Sequence, residues 1–526
     1  MTDVSTREIR CLADILRVHG AELAEQTAVQ CAGKSLTFAE FYERAKAVAG
    51  ALASKGVRAH DRVAVIDRNS IENLEVVFGA ALVNAVVVNV NWRLAPPEIL
   101  QILDDAQTEL VIVGSDFFAA VESIESEIGE KADIVAIGEH ARWEGYETWL
   151  ASCEPSDPGA VAAPEDVAFQ LYTSGTTGLP KGVMLTTSNL MTAWSRINEA
   201  WEFEPGRSVN LALMPMFHIA GLGWSTAGLY FGCRTVVLKD VEPAEILHVI
   251  SKEHITHAFM VPSVIQFLLL TPGVEEADFS SLRKLVYGAS PISAPVLEKA
   301  LEVMGCDFVQ VYGLTETTGA ITQLEPQDHE PVGRPGLLRS CGRPYPWVEM
   351  RVVDNQGHDL PAGQVGELWT RSGQNMAGYW NNPDATRAVL DEEGWLRTGD
   401  AGYLDEDGFV YLHDRVKDMI VTGGENVYPA EVENVLMRHP GVADVAIFGV
   451  PDTKWGEAVK AAVVPTKPAN PPSAEDLISF AHEYLAGYKC PKSIDYATAL
   501  PRNPSGKLLK RELRAPYWEG VSRQIG

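Results

Sequence analysis

The sequence predicts an α/β protein: a large N-terminal domain of layered α/β subdomains plus a β-rich subdomain, followed by a small C-terminal α/β domain. Three observations predict it. Apolar runs of strand length alternate with segments of helical apolar spacing over the first three hundred residues, the signature of parallel α/β layers. Past Gly336 the texture changes to short strands set between Gly, Asp and Asn turns. And 526 residues exceed what one hydrophobic core supports.

In chain order, Thr37-Phe38-Ala39-Glu40 is a capping box, behind which Phe41, Ala45, Val48, Ala49 and Leu52 recur at helical spacing. Arg62 to Ile66 reads as a buried strand, Ile71 to Val83 as a helix, Val86 to Val90 as a strand, Pro96 to Ala106 as a helix and Glu109 to Val113 as a strand. Glu154 to Pro164, rich in Pro, Ala, Gly and Asp, reads as a surface connection. Thr187 or Ser188 is expected to cap the next helix, and Val209 to Leu213 is a strand ending at Met214-Pro215-Met216-Phe217-His218. Strand and helix pairs follow at 235–238 with 243–251, 258–260 with 263–270, and 284–287 with 294–304. Val348 to Val353, Gly366 to Thr370 and Gly408 to Leu412 are the short strands of the β-rich part. The charged stretch Asp414 to Asp418 sets the domain boundary, giving 1–415 and 416–526, the second of a length suited to a small, independently folded lid. No repeat or low-complexity segment is evident.

Composition narrows the class. Hydrophobic content of 46% with 22% charged residues suits a soluble globular enzyme, and a net charge of −28 argues against a general nucleic-acid binder. Seven scattered cysteines without a C-x-x-C pair read as reduced thiols of a cytoplasmic protein. There is no signal peptide and no apolar run of about eighteen residues, so no transmembrane segment is expected. Peripheral membrane contact and a homodimer are left open.

The chemistry centres on Leu171-Tyr172-Thr173-Ser174-Gly175-Thr176-Thr177-Gly178-Leu179-Pro180-Lys181-Gly182. Apolar runs on both sides make it a tight connection between two strands. Its glycines let the backbone approach a ligand, its hydroxyls donate, and Lys181 adds a positive charge, a set suited to a polyphosphate. It is not a Walker A loop, because Gly182 follows Lys181 where that motif has Ser or Thr. Further along, Tyr287-Gly288-Ala289-Ser290-Pro291 and Val311-Tyr312-Gly313-Leu314-Thr315-Glu316-Thr317 each end a strand in a Gly-rich turn. In open α/β sheets such strand ends wall a nucleotide cleft.

Together with Gly394-Trp395-Leu396-Arg397-Thr398-Gly399-Asp400, Thr422-Gly423-Gly424-Glu425-Asn426 and Pro501-Arg502-Asn503-Pro504-Ser505-Gly506-Lys507, these segments resemble, in order and spacing, the adenylate-forming superfamily of acyl-CoA synthetases, luciferases and peptide-synthetase adenylation domains. The resemblance runs from about Thr37 to Leu513 and implies the cofactors ATP, Mg²⁺ and coenzyme A. It implies that Thr173, Ser174, Gly175, Thr176, Thr177 and Lys181 hold phosphate, that Gly288, Ala289 and Tyr312 hold adenine, that Ser290 and Gly313 also contact the nucleotide, and that Thr315 touches phosphate. Glu316 would bind the metal, Asp400 the ribose hydroxyls and Arg415 the ribose or phosphate, and Lys507 would reach in during adenylation. Lys417 would be the hinge of the C-terminal lid, and Gly423, Gly424 and Glu425 would line the path of CoA. In isolation Glu316 is a solvated loop carboxylate and Lys507 a solvated terminal lysine; their surrounding motifs lift both.

For the acid, Phe217 and His218 stand where relatives place groups beside the carboxylate. Ile219-Ala220-Gly221 follows in place of the aspartate that holds an α-amino group, which disfavours amino acids. Leu222, Trp224, Val261 and Gly319 add uncharged surface for a fatty, aryl or alicyclic acid. Long-chain members of the family carry a tryptophan gate four residues after the histidine, where this chain has Leu222, with Trp224 two further on. The expected activity is therefore that of an AMP-forming acyl-CoA synthetase. Carrier-protein loading is the nearer rival, and a catalytically dead nucleotide-binding paralogue is disfavoured by the presence of Lys507 and Glu316.

Overall fold

The computed structural model describes residues 9–129, 131–174, 180–290, 292–330, 332–415, 418–422, 425–452, 454–502 and 508–519, with backbone alone for Ser174, 413–415, Val421, Glu425 and Asn426. The chain packs as two compact units that interleave along the sequence. One comprises Met1–Ala289, Lys299–Gln327 and Arg371–Gly394; the other comprises Ser290–Glu298, Asp328–Thr370 and Trp395–Gly526.

The first unit holds two sheets. In one, the strands lie in the order Gly378–Tyr379, Pro180–Thr186, Val167–Ser174, Val86–Asn89, Arg62–Ile66, Leu110–Gly114, Asp133–Ile137 and Glu144–Gly145. All neighbours from Val167–Ser174 onward are parallel, whereas Pro180–Thr186 is antiparallel to the strand on each side of it. The central strands have no polar face: Val63 to Ile66 and Leu110 to Val113 are buried throughout, as in parallel sheets covered on both sides. The other sheet runs Gly319–Leu324, Asp307–Leu314, Lys284–Gly288, His257–Met260, Val209–Ala212, Arg234–Val237, Thr27–Cys31 and Lys34–Thr37. Its strands from Asp307–Leu314 to Thr27–Cys31 are parallel.

Helix starts follow local chemistry. Thr37 Oγ1 accepts from Glu40 N at 3.2 Å while Glu40 Oε2 accepts from Thr37 N at 2.8 Å, closing the expected box. Ser70 caps Ile71–Leu82 through one bond, its Oγ accepting from Asn73 N at 3.0 Å. The helix Thr187–Trp201 corrects the expected cap: Thr187 is already its first turn, and Thr186, extended at φ −84° and ψ 164°, caps it. The physical reason is Asn189, whose Oδ1 accepts from Thr186 N and whose N donates to Thr186 Oγ1. Neither Thr187 nor Ser188 has that partner three residues on.

Several elements escaped the sequence patterns. The helix Leu12–Glu22 and the hairpin Thr27–Cys31 with Lys34–Thr37 precede the first expected element. The helix Ile219–Tyr230 is buried on every side from Gly221 onward, so it carries no amphipathic period.

In the second unit, Glu349–Val353, Gly366–Arg371, Leu396–Leu404 and Val410–Arg415 form a four-stranded sheet. Leu396–Leu404 was hidden in the sequence because Gly399, at φ +68°, interrupts it like a turn. A further sheet orders Glu425–Val427, Ile420–Thr422, Gly456–Pro465 and Val442–Asp452, with Ser493–Tyr496 parallel to Gly456–Pro465. The helices Pro429–Leu436 and Ala474–Tyr484 bury Val432, Leu436, Leu477 and Ala481 against Ile447, Val459 and Val463. The seven cysteines are free thiols. Among the described residues, no helix is long and apolar enough to cross a membrane.

Candidate active site

The phosphate-loop hairpin is built on Val167–Ser174 and Pro180–Thr186, whose register pairs Tyr172 with Gly182, Thr173 with Lys181 and Ser174 with Pro180. Cross-strand pairing therefore sets Lys181 and Thr173 opposite each other at the loop's base. A Cβ on Gly182 would lie 2.8 Å from Gln170 Nε2 and 3.0 Å from Tyr172 Cζ, so any larger residue would have to displace those side chains. The Tyr172 hydroxyl donates to Asp105 at 2.5 Å and accepts from Gln170, and burial together with the Asp105 carboxylate pushes that phenol well up. Gly175, Thr176 and Thr177 lie outside the described residues.

The second wall is the turn Thr315–Thr317 at the end of Asp307–Leu314. Thr317 Oγ1 accepts from Leu314 N at 2.8 Å and donates to Gly319 O at 2.7 Å, which fixes the turn. Thr318 at φ +54° and Gly319 at φ +94° reverse the chain, and a Cβ on Gly313 would fall 1.8 Å from Gly319 O. Neighbouring Gly288 is similarly obligatory, 2.2 Å from Val311 O, and Ala289 takes φ +67°. Ser290 follows in a bend, half-buried, and Tyr312 is buried.

The segment Gln374 to Trp380, which no sequence pattern singled out, joins the two walls. Gln374 Nε2 donates to Thr317 O and Ala320 O, and Met376 N donates to Glu316 O. Gly378 and Tyr379 then pair with Met184 and Val183 of the hairpin. Trp380 N donates to Gly182 O at 2.7 Å, and its indole N–H donates to Asp105 O. The Tyr379 hydroxyl donates to Glu316 Oε1 at 2.9 Å, and the Lys181 ammonium sits 4.8 Å from the centre of the Tyr379 ring. The strand Pro180–Thr186 itself packs on the turn Thr315–Thr317. Thus the hairpin and the Thr-Glu turn converge.

At the M-P-M-F-H segment, Asn69 makes a clasp the sequence did not announce. Its Nδ2 donates to Met214 O and Leu238 O, and its Oδ1 accepts from Met216 N, each at 3.0 Å. His218 then starts Ile219–Tyr230 with its Nε2 buried and without a hydrogen-bond partner. Burial, reinforced by the Arg93 charge, lowers the imidazole to about 4, so it is neutral at physiological pH. Phe217 is buried, edge-on to Trp92. A Cβ on Gly221 would meet Pro215 O at 2.2 Å, which seats the helix directly on this segment. Leu222 and Val261 are buried, and the nearest atom to a Cβ on Gly319 is Ile219 Cγ1 at 3.7 Å. Trp224 donates from Nε1 to Leu211 O at 3.0 Å and packs on Trp201, Phe203 and Phe259.

In the second unit Asp400 and Arg415 are cross-strand partners, with Asp400 buried and its N–H donating to Thr398 Oγ1. Glu425 pairs with Thr422, flanking Gly423 and Gly424. Lys417, Gly423, Gly424 and Lys507 lie outside the described residues.

Magnesium takes oxygen ligands, commonly one or two carboxylates with the rest from phosphate and water. Among the described residues no cluster of three or more His, Cys, Asp or Glu could hold a metal by itself. Glu316, a lone carboxylate on a fixed turn beside the hairpin's lysine, fits a metal shared with a triphosphate.

The threonine-rich hairpin packs on an acidic turn within an α/β scaffold, and similarity to known proteins identifies the class. Residues 16–380 match the family described as AMP-binding enzyme, and 431–507 match the AMP-binding enzyme C-terminal domain. The chain belongs to that family and is an ATP-dependent ligase joining an acid to a thiol. It is 40% identical over 522 residues to a fatty acid–[acyl-carrier-protein] ligase, ScoC, of Streptomyces coeruleorubidus, covering 98% of both chains. It is 37% identical to a feruloyl-CoA synthase of an Amycolatopsis species, covering 93% of this chain and 96% of that one. The ATP-bound structure of MatB from Rhodopseudomonas palustris superposes with a TM-score of 0.87 at 29% identity, over 96% of this chain and 99% of that one.

Proposed function

We propose that this chain is an AMP-forming acyl-CoA synthetase for an apolar carboxylic acid, fatty or aryl. The observation that carries the reading is the junction of Lys181, Tyr379 and Glu316, which sets a cation and a carboxylate where one triphosphate can meet both. In the first step the substrate carboxylate oxygen attacks the α-phosphorus of ATP, the bond to the β-phosphate bridging oxygen breaks, and pyrophosphate leaves. In the second, the thiol sulfur attacks the acyl carbon, AMP leaves, and the thiol proton passes to solvent. The carboxylate is already ionised, so the first step calls for charge neutralisation and in-line positioning more than for a base.

In this reading Lys181, Thr173, Ser174, Gly175, Thr176 and Thr177 hold the phosphates. Gly288, Ala289 and Tyr312 seat the adenine with Ser290 and Gly313 beside the nucleotide, Asp400 takes the ribose hydroxyls, and Arg415 takes the ribose or phosphate. Thr315 touches phosphate, and Glu316 would hold a magnesium ion, which would supply neutralisation of the charge on departing pyrophosphate. Neutral His218, with Phe217, Leu222, Trp224, Val261 and Gly319, serves the acyl side; no charged group among them opposes an apolar chain. Residues 416–526 act as a lid turning at Lys417, bringing Lys507 for adenylation and Gly423, Gly424 and Glu425 for the CoA arm.

A second reading, with a phosphopantetheine thiol on a carrier protein as acceptor, is favoured by the 40% identity to a carrier-protein ligase. Both are tested by one panel: fatty acids of several lengths and aryl acids, with ATP and Mg²⁺, and with CoA, a holo-carrier protein or neither. Acyl-CoA formed only with CoA is the expected result. Acyl-carrier product without acyl-CoA would replace the acceptor, and no AMP release with any acid would overturn the ligase reading.

A further inference from the structure

Tyr379 touches both charged groups of the phosphate site. Its hydroxyl donates to Glu316 Oε1 at 2.9 Å, and its ring centre lies 4.8 Å from Lys181 Nζ. Among the described residues the Glu316 carboxylate has no other hydrogen-bond donor, and Lys181 has no carboxylate partner. The ring's place is fixed from several sides. Tyr379 is buried, is paired with Val183, and its N–H donates to Thr386 Oγ1 at 2.9 Å. Before it, Gly378 takes φ +143°, and a Cβ there would stand 2.8 Å from Thr386 Cγ2. Two residues further back, Met376 N holds the Glu316 carbonyl.

We propose that Tyr379 is a positioning residue for the magnesium–triphosphate pair, a role that rests on the ligase reading above. Its phenol aims the Glu316 carboxylate, leaving the second oxygen for a metal, and its ring face holds the Lys181 ammonium by cation–π attraction. An ammonium and a carboxylate that reach the same ring would otherwise pair with each other, and incoming Mg²⁺·ATP would have to break that pair. Tyr379 keeps each in reach of the ligand and apart from the other.

The two contacts separate by substitution. Tyr379→Phe removes the hydroxyl and keeps the ring; Tyr379→Ala removes both. Calorimetric titration with ATP, in Mg²⁺ and in EDTA, reads them without turnover. Tyr379→Phe is expected to weaken binding roughly tenfold in Mg²⁺ and to leave binding in EDTA unchanged, because only the metal uses the aimed carboxylate. Tyr379→Ala is expected to weaken binding in both, because Lys181 is lost to Glu316. Equal weakening of Tyr379→Phe in both buffers, or none in Mg²⁺, overturns the aiming role; unchanged EDTA binding by Tyr379→Ala overturns the lysine contact. If wild-type protein binds ATP in neither buffer, the ligase reading fails and this role with it; if it binds normally and the variants match it, this role alone fails. Should Tyr379→Ala not fold, Tyr379→Phe decides the aiming role, and Tyr379→Leu decides the lysine contact.

Discussion

Replacing Lys507 with alanine lowers acid-dependent ATP–pyrophosphate exchange by roughly 10²–10³-fold, while acyl transfer from supplied acyl-AMP to CoA keeps its rate. The expectation follows from the charges of the first step. A carboxylate must approach an α-phosphate that already carries negative charge, and charge shifts onto the leaving pyrophosphate. A cation placed at the reacting phosphate offsets repulsion that is greatest in the transition state, so its loss falls on the rate more than on the binding of either reactant. The second step joins a thiol to an activated acyl group and releases AMP, with no phosphorus centre attacked, and the lysine has no part in it. The measurement is a pair of assays on one variant. Equal loss in both half-reactions would mean that Lys507 supports the fold or the lid and does not serve adenylation.

Glu316→Gln is expected to lower adenylation roughly 10²-fold, with the loss shrinking as free Mg²⁺ is raised. The amide oxygen can still accept from the Tyr379 hydroxyl, so the turn held by Thr317 and Gln374 keeps its shape. Only the charge is removed. Since pyrophosphate, whose charge the metal would offset, has no part in the second step, thioester formation from supplied acyl-AMP is unchanged. A Mg²⁺ titration of both half-reactions checks this, and the metal response separates the variant from Lys507→Ala, whose defect no magnesium concentration repairs. An equal and magnesium-insensitive loss in both steps would remove Glu316 from the metal site.

How much of this was legible beforehand depended on whether the cause was local. The parallel strands announced themselves because burial on both faces makes runs such as Val63 to Ile66 wholly apolar. The box at Thr37 and Glu40 was legible because both partners sit within four residues. The cap at Thr186 was not, since three hydroxyl residues in a row compete and Asn189, less usual than Glu or Gln at that place, decides among them. The helix Ile219–Tyr230 was invisible because an element buried all round has no polar face to set a period. The motif residues Lys181, Gly288, Gly313 and Glu316 could be named from sequence, and the structure supplies reasons for two of the glycines in backbone oxygens 1.8 and 2.2 Å from where a Cβ would be. Tyr379 and Asn69 could not be named. Their partners lie 63 and about 145 residues away, and no spacing rule reaches that far.

In the proposed reaction the Thr-rich hairpin and the Thr315–Glu316 turn serve a single triphosphate. The most direct measurement is a crystal structure with Mg²⁺ and a non-hydrolysable ATP analogue. A shared triphosphate predicts phosphate oxygens against Thr173 and Lys181 and a metal about 2.1 Å from a Glu316 oxygen. A nucleotide bound with Glu316 and Lys181 both out of reach would contradict it.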